Sequence, residues 1–177
     1  GDPIVGYVAD EQGDFSWAAP DEEVHAAVND LERGTGTMLL GRRMYEVLSA
    51  WETMELRGEP KAIADYAAIW RSADKVVYSS SLAEVSTART TLERVFDPEA
   101  VGVRKASSSR DVGIGGPTLA GQVLQAGLVD EIRLFLSPVI VGGGLPALPT
   151  GYRADLELLE ERRFTNGTTL LRYAPRT

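Results

Sequence analysis

Three short clusters have the residue types and spacing to hold phosphate. Gly115 and Gly116 follow the apolar Val112 and Ile114 and precede Pro117 and Thr118. A glycine pair where a strand turns into a helix lets backbone approach a ligand closely, and it points free N–H groups beyond the strand end, as phosphate requires. Gly41, Arg42 and Arg43 repeat the arrangement after residues 37–40, now with two guanidinium groups for charge-assisted hydrogen bonds to a phosphate monoester. Ser79, Ser80 and Ser81 follow a third apolar run, residues 75–78. Each cluster also has a plain alternative: a tight turn without ligand, a solvated arginine pair, a serine turn. Asp21, Glu22 and Glu23 stand just after Pro20, in the first turn of a helix, where acidic residues complement the helix dipole.

Composition narrows the remaining chemistry. The 177 residues contain no cysteine and one histidine, so disulfides, thiolate nucleophiles, Cys-ligated clusters and His-rich metal sites are excluded, and no metal site is expected. His25 itself reads as a partly exposed helix residue. A formal charge of -8 without a long basic run argues against nucleic acid and anionic membrane as partners. No apolar run reaches membrane-spanning length, and GDPIVGYVAD lacks the pattern of a secretory signal, so the expected compartment is the cytoplasm. What remains is chemistry carried by a bound cofactor, with the protein supplying orientation and a carboxylate.

The elements that must position these clusters follow from periodicity. Val24, Ala27, Val28 and Leu31 mark one face of a helix after Pro20, and Ile63, Tyr66, Ala67 and Trp70 mark another. Residues 37–40 and 75–78 read as buried strands. Asp97 and Pro98 open a helix as cap and first residue. Pro117 opens the next, which Gly127 stops, and Ile132, Leu134 and Leu136 alternate along a strand. Residues 156–164 and 168–173 form a hairpin around Asn166 and Gly167. The length fits one domain over residues 1–177. Strands alternating with helices predict an α/β fold, but the dinucleotide fingerprint is incomplete, because after Gly113 and Gly115 its third glycine would fall at Thr118.

With these pieces in order, the chain resembles the bacterial riboflavin-biosynthesis reductase domain family, which shares its fold with dihydrofolate reductase. The resemblance is carried by LLGRRMYEVLSAWE (39–52), VVYSSSL (76–82), GGPTLAGQVLQAGLVDEIRLFLSPVIVGGG (115–144) and LELLEERRF (156–164). It implies a three-layer fold: a mixed, mostly parallel central sheet flanked by helices, with an antiparallel C-terminal hairpin. It also implies NADPH as cofactor, with Gly41, Arg42 and Arg43 at the cofactor phosphates, Ser79, Ser80 and Ser81 near the adenosine 2′-phosphate, and Gly115, Gly116, Pro117 and Thr118 cradling the pyrophosphate. The implied activity is reduction of a small pyrimidine or pterin-like heterocycle, similar to 5-amino-6-(5-phosphoribosylamino)uracil reductase, with Glu22 as proton donor and Asp21 as fallback. The rival expectation is a small-molecule or nucleotide-binding protein without turnover.

Two departures bear on these expectations. Dihydrofolate reductase has a phosphate-holding threonine at the position of Met44, and methionine has no hydroxyl to offer. Relatives carry a first strand in the middle of the sheet ending in Ser, Leu, Asp, Gly, for which this sequence offers only GDPIV before Gly6. The apolar, glycine-rich residues 138–148 predict a homodimer, since such a stretch is too hydrophobic to leave in water.

Overall fold

The computed structural model describes residues 6–176. The GDPIV segment, where the sequence departs from the first strand of its relatives, therefore lies outside the described residues. Two compact units are present: His25–Ala120 forms one, and the residues up to Val24 together with those from Gly121 onward form the other.

In the unit His25–Ala120, four strands make a parallel sheet in the order β4-β3-β2-β5. β2 is Thr35–Gly41, β3 Asp74–Tyr78, β4 Thr90–Glu93 and β5 Asp111–Gly115. The two inner strands, TGTMLLG and DKVVY, are buried along most of their length and carry the apolar runs 38–40 and 76–78, as strands covered on both faces require. Outer β4, TTLE, alternates between half-buried and exposed. Short and threonine-rich, it went unseen in the sequence.

The helices are α1 (Glu22–Glu32), α2 (Arg42–Leu48), α3 (Lys61–Ser72), α4 (Pro98–Ser107) and α5 (Pro117–Gln125), and α1 and α4 start at side-chain caps. Asp21 Oδ1 accepts the Val24 N–H (2.9 Å) at the start of α1, and Asp97 accepts the Glu99 N–H before Pro98. α3 turns Ile69 and Trp70 into a core with Met38 and Leu40 of β2, Val77 of β3 and Tyr45 of α2. Lys75, though fully buried, donates from Nζ to the Trp70 carbonyl (3.0 Å) at the end of α3 and lies over the Trp70 ring. A buried ammonium beside the negative end of a helix is compensated there.

The second unit is antiparallel. β1 (Tyr7–Ala9) pairs with β7 (Leu145–Pro146), and β9 (Thr169–Pro175) lies between β6 (Ile132–Leu136) and β8 (Leu156–Arg163). Gly144 has φ +134°, and a Cβ there would stand 2.1 Å from the Ala9 carbonyl oxygen, so glycine is what admits β1 beside β7. The fold is thus mixed α/β, a helix-flanked parallel sheet with an antiparallel hairpin sheet. Its strands fall into three separate hydrogen-bonded sheets among the described residues, since β5 pairs only with β2 and β6 only with β9. No helix among the described residues is long and apolar enough to cross a membrane.

Arg172 on central β9 binds Glu131 through two nitrogens, each at 2.9 Å, and Glu160 of β8 at 2.6 Å. Those bonds, with a further one from Arg133, hold the Glu131 carboxyl down at about 2, against 4.5 ordinarily, despite partial burial. A carboxyl group lowered on folding stabilises the fold above its unfolded value and loses that contribution as pH falls. Glu131→Gln is therefore expected to cost on the order of 2–3 kcal/mol at pH 7, in urea melts, with the gap to the parent closing between pH 4.5 and about 2. A gap independent of pH would assign the stabilisation to packing instead.

Candidate functional site

Sheet order decides where the clusters meet. From β2 the chain steps outward through β3 to β4, and then returns to place β5 on the opposite side of β2. Such a reversal leaves a crevice beyond the carboxyl ends of the strands on either side of it, the position at which open α/β sheets bind ligands. Here those ends are Gly41 of β2 and Gly115 of β5. Leu40 pairs with Gly115 and Gly41 with Tyr78, so Arg42, Ser79 and Gly116 each follow directly from one strand end of the same edge.

Gly116 has φ +95° and its carbonyl accepts the Ala120 N–H (3.0 Å), so it opens α5 from a backbone conformation that favours glycine. Pro117 and Thr118 form the first turn behind it, Thr118 exposed. At the end of β2, Gly41 is extended and a Cβ there would touch nothing. Arg42 follows: its Nη1 donates to Ser81 Oγ (3.0 Å) and its Nε to Glu46 (2.7 Å). The arginine and serine clusters are thereby brought together as a guanidinium and a hydroxyl in contact. Ser79, buried, accepts at Oγ the N–H groups of Ser81 (3.3 Å) and Leu82 (3.0 Å), whereas Ser80 and Ser81 are exposed. Arg43 is exposed, with no side-chain hydrogen bond or ion pair to the described residues. A guanidinium, two outward hydroxyls and a glycine opening a helix fit a phosphate-bearing ligand.

Gly115 carries a second constraint that sequence reasoning missed. A Cβ on it would lie 2.9 Å from Leu40 Cδ2 and 3.0 Å from Met44 Cγ, and one on Gly116 would lie 3.6 Å from Met44 Cβ. Met44 thus packs on the glycine pair. Tyr45 was also missed as anything beyond an apolar position. Its buried hydroxyl accepts the N–H groups of Ser86 (2.8 Å) and Thr87 (3.2 Å), pinning the loop between β3 and β4. Burial pushes this phenol up, but the bonds from Ser86 and Thr87 outweigh it and leave the group lowered.

The carboxylates divide. Asp21 is occupied as the cap of α1, whereas Glu22 is exposed and its carboxylate makes no hydrogen bond to the described residues. Both belong to the other compact unit. Neighbouring Glu23 accepts from Thr165 N (3.1 Å) and Oγ1 (2.6 Å) at the hairpin turn. His25 is a correction: it is buried rather than partly exposed, with its ring 6.1 Å from Trp51 and 5.8 Å from Tyr66, and burial holds it below its ordinary value. The aromatic face of α3 claims it. A cleft of about 300 Å³ lies at the opposite, amino-terminal edge of the parallel sheet, beside Thr37, Asp74, Arg89 and Arg110. Its arginines are used locally, Arg89 with Asp74 and Arg110 on the Arg33 carbonyl.

Fold and edge together define an α/β protein of the dihydrofolate reductase-like class. Residues 4–170 match the RibD C-terminal domain, and the chain belongs to that family. Over 172 residues it is 23% identical to the uncharacterised protein YyaP of Bacillus subtilis (strain 168), covering 96% of this chain and 89% of that one. A 62-residue segment, 34% of this chain, is 40% identical to the riboflavin biosynthesis protein RibD of Mycobacterium tuberculosis, spanning 18% of that protein. Among solved structures, a Shewanella sp. PV-4 protein assigned provisionally to riboflavin biosynthesis superposes with TM-score 0.75 at 18% identity, covering 98% of this chain and 94% of that one. RibD of Acinetobacter baumannii gives 0.67 at 15% identity, with 97% of this chain and 55% of that one covered. This chain therefore spans about half the length of that RibD protein.

The packing of Met44 yields a test. Gly115→Ala should destabilise the protein by about 1–3 kcal/mol, because buried Leu40 has little room to withdraw. Met44→Ala in the same chain should return part of that loss, read as a coupling energy in a double-mutant cycle from urea melts. Strict additivity would show that the contact carries no strain.

Proposed function

We propose that the protein is an NADPH-dependent reductase of a small pyrimidine or pterin-like heterocycle, similar to 5-amino-6-(5-phosphoribosylamino)uracil reductase. The observation that carries this reading is the convergence of Arg42, Ser81 and the Gly115–Gly116 turn on one sheet edge, in a chain of the RibD C-terminal domain family. A solved Thermotoga maritima protein of similar fold, at 17% identity and TM-score 0.65, is described as a deaminase and 5-amino-6-(5-phosphoribosylamino)uracil reductase.

Arg42 with the hydroxyls of Ser80 and Ser81 would hold the 2′-phosphate, the buried Ser79 shaping their turn from within, and Gly41 with the Gly115–Thr118 turn would hold the pyrophosphate; Arg43, exposed beside Arg42, can meet the same phosphates. The bound nicotinamide would supply the hydride. The protein's part is to orient the acceptor, exclude water and deliver a proton, for which Glu22 is preferred over Asp21 because Asp21 already caps α1. A second reading, binding without turnover, is favoured by Met44, which fills the turn with an apolar side chain where the resemblance implies a hydroxyl.

Titration with NADPH and NADH, followed by tryptophan fluorescence, tests the assignment. Arg42→Ala should weaken NADPH by about 10- to 100-fold and leave NADH nearly unchanged, as for loss of one charge-assisted hydrogen bond. Equal weakening of both would move Arg42 to the shared pyrophosphate. Binding without NADPH oxidation across a panel of pterins and aminopyrimidines would select the second reading, and no binding at all would sink both.

We propose in addition that the protein is a homodimer. Ile140 is 97% exposed, and Val139, Leu145 and Leu148 are exposed near it, an apolar group that a second copy would cover. Sedimentation at micromolar concentration should give twice the chain mass; a monomer would refute it.

A further inference from the structure

The serine turn after β3 is held from behind by one side chain, and we propose that this side chain, Arg94, positions the turn for selective recognition of a 2′-phosphorylated dinucleotide. The inference rests on the reading that this edge takes NADPH. Arg94 follows β4 directly and belongs to none of the clusters visible in the sequence.

Its Nη1 donates to the carbonyls of Ser79 (3.3 Å) and Leu82, and its Nη2 to the carbonyl of Ala83 (3.2 Å). Three carbonyls of a five-residue turn thus converge on one guanidinium. No carboxylate among the described residues is paired with it. The backbone joins the same two strand ends, the Ser79 N–H donating to the Glu93 carbonyl (2.9 Å). Inside the turn, Ser79 Oγ takes the N–H groups of Ser81 and Leu82. With three carbonyls turned to Arg94 and two N–H groups turned to Ser79, the turn presents the exposed hydroxyls of Ser80 and Ser81, the latter already against Arg42.

At its far end the same loop is fixed by the Tyr45 hydroxyl on Ser86 and Thr87. A loop pinned at both ends loses little freedom on binding, and affinity rises because that ordering is already complete. Planar geometry explains why arginine stands at position 94: its fork spans several acceptors at once, whereas an ammonium is a point donor on a flexible stem. Arg94 is thus a positioning residue, acting through the hydroxyls of Ser80 and Ser81.

The test uses the whole chain and four proteins: the parent, Arg94→Ala, Arg94→Met, which keeps the aliphatic stem, and Arg94→Lys, which keeps the charge without the fork. Each is titrated with NADPH and NADH and melted by circular dichroism. Arg94→Ala and Arg94→Met are expected to weaken NADPH about tenfold and to change NADH by less than about twofold, with Arg94→Lys recovering less than half of the loss on a logarithmic scale. A fall in melting temperature at unchanged cofactor preference would reduce Arg94 to a structural strut, and full recovery in Arg94→Lys would show that charge, not placement, matters; either overturns the inference. A parent that prefers NADPH, with a preference that survives Arg94→Ala, removes this inference alone. A parent that binds neither dinucleotide overturns the NADPH reading and this inference with it.

Discussion

Everything at the candidate site depends on β2 being an inner strand. Its sequence is apolar on both faces and it pairs in parallel with β3 on one side and β5 on the other. Parallel pairing puts three carboxyl ends on one edge, so residues 39 and 75 positions apart in sequence become neighbours. Arg42 meets Ser81, and Gly115 meets Leu40, because the register of β2 leaves no other outcome. Slipping one strand by a residue would turn every one of its side chains to the opposite face, and Met38, Leu40 and Val77 would lose their packing against Ile69 and Trp70 of α3.

The glycine pair shows how packing and ligand geometry can demand the same residue. Gly116 is required by its own backbone conformation, whereas Gly115 is required by Leu40 and Met44, which approach where a Cβ would be. A glycine before a helix therefore reports close approach, and only the neighbours reveal what approaches. Here part of the answer is the protein's own methionine. The bland and the functional readings of GG are both physical, and they apply to different glycines of the same turn.

Much of the fold was legible because its signals are local. Asp97–Pro98 capped a helix, Asn166–Gly167 made a hairpin, and the alternation of Ile132, Leu134 and Leu136 made a strand. β4 was not legible, since its four residues pattern too weakly to distinguish a strand from a loop. His25 was misread for a different reason: its burial depends on Trp51 and Tyr66, which lie far along the chain and meet it only in the folded unit. The roles of Tyr45 and Arg94 were hidden likewise, because both bond to loop backbone groups whose positions no side-chain pattern encodes. The clusters of Arg42 and Ser81 could be named separately; their contact required the sheet order.

The pairing of Arg42 with Glu46 might be taken to mean that its charge is already spent, and magnitudes decide against that. Both side chains are about half exposed, 50% and 44%, and they lie four residues apart on one helix. Such pairs contribute roughly 0.3–0.5 kcal/mol, because water screens them and ordering two long side chains opposes the attraction. A hydrogen bond from a guanidinium to a charged acceptor contributes roughly 1.5–3 kcal/mol, and a phosphate monoester carries up to two charges and three acceptor oxygens. On these magnitudes a phosphate monoester would outcompete Glu46 for Arg42. Until it arrives, the Glu46 contact restricts the arginine to orientations near Ser81, so the ion pair aims the group more than it neutralises it.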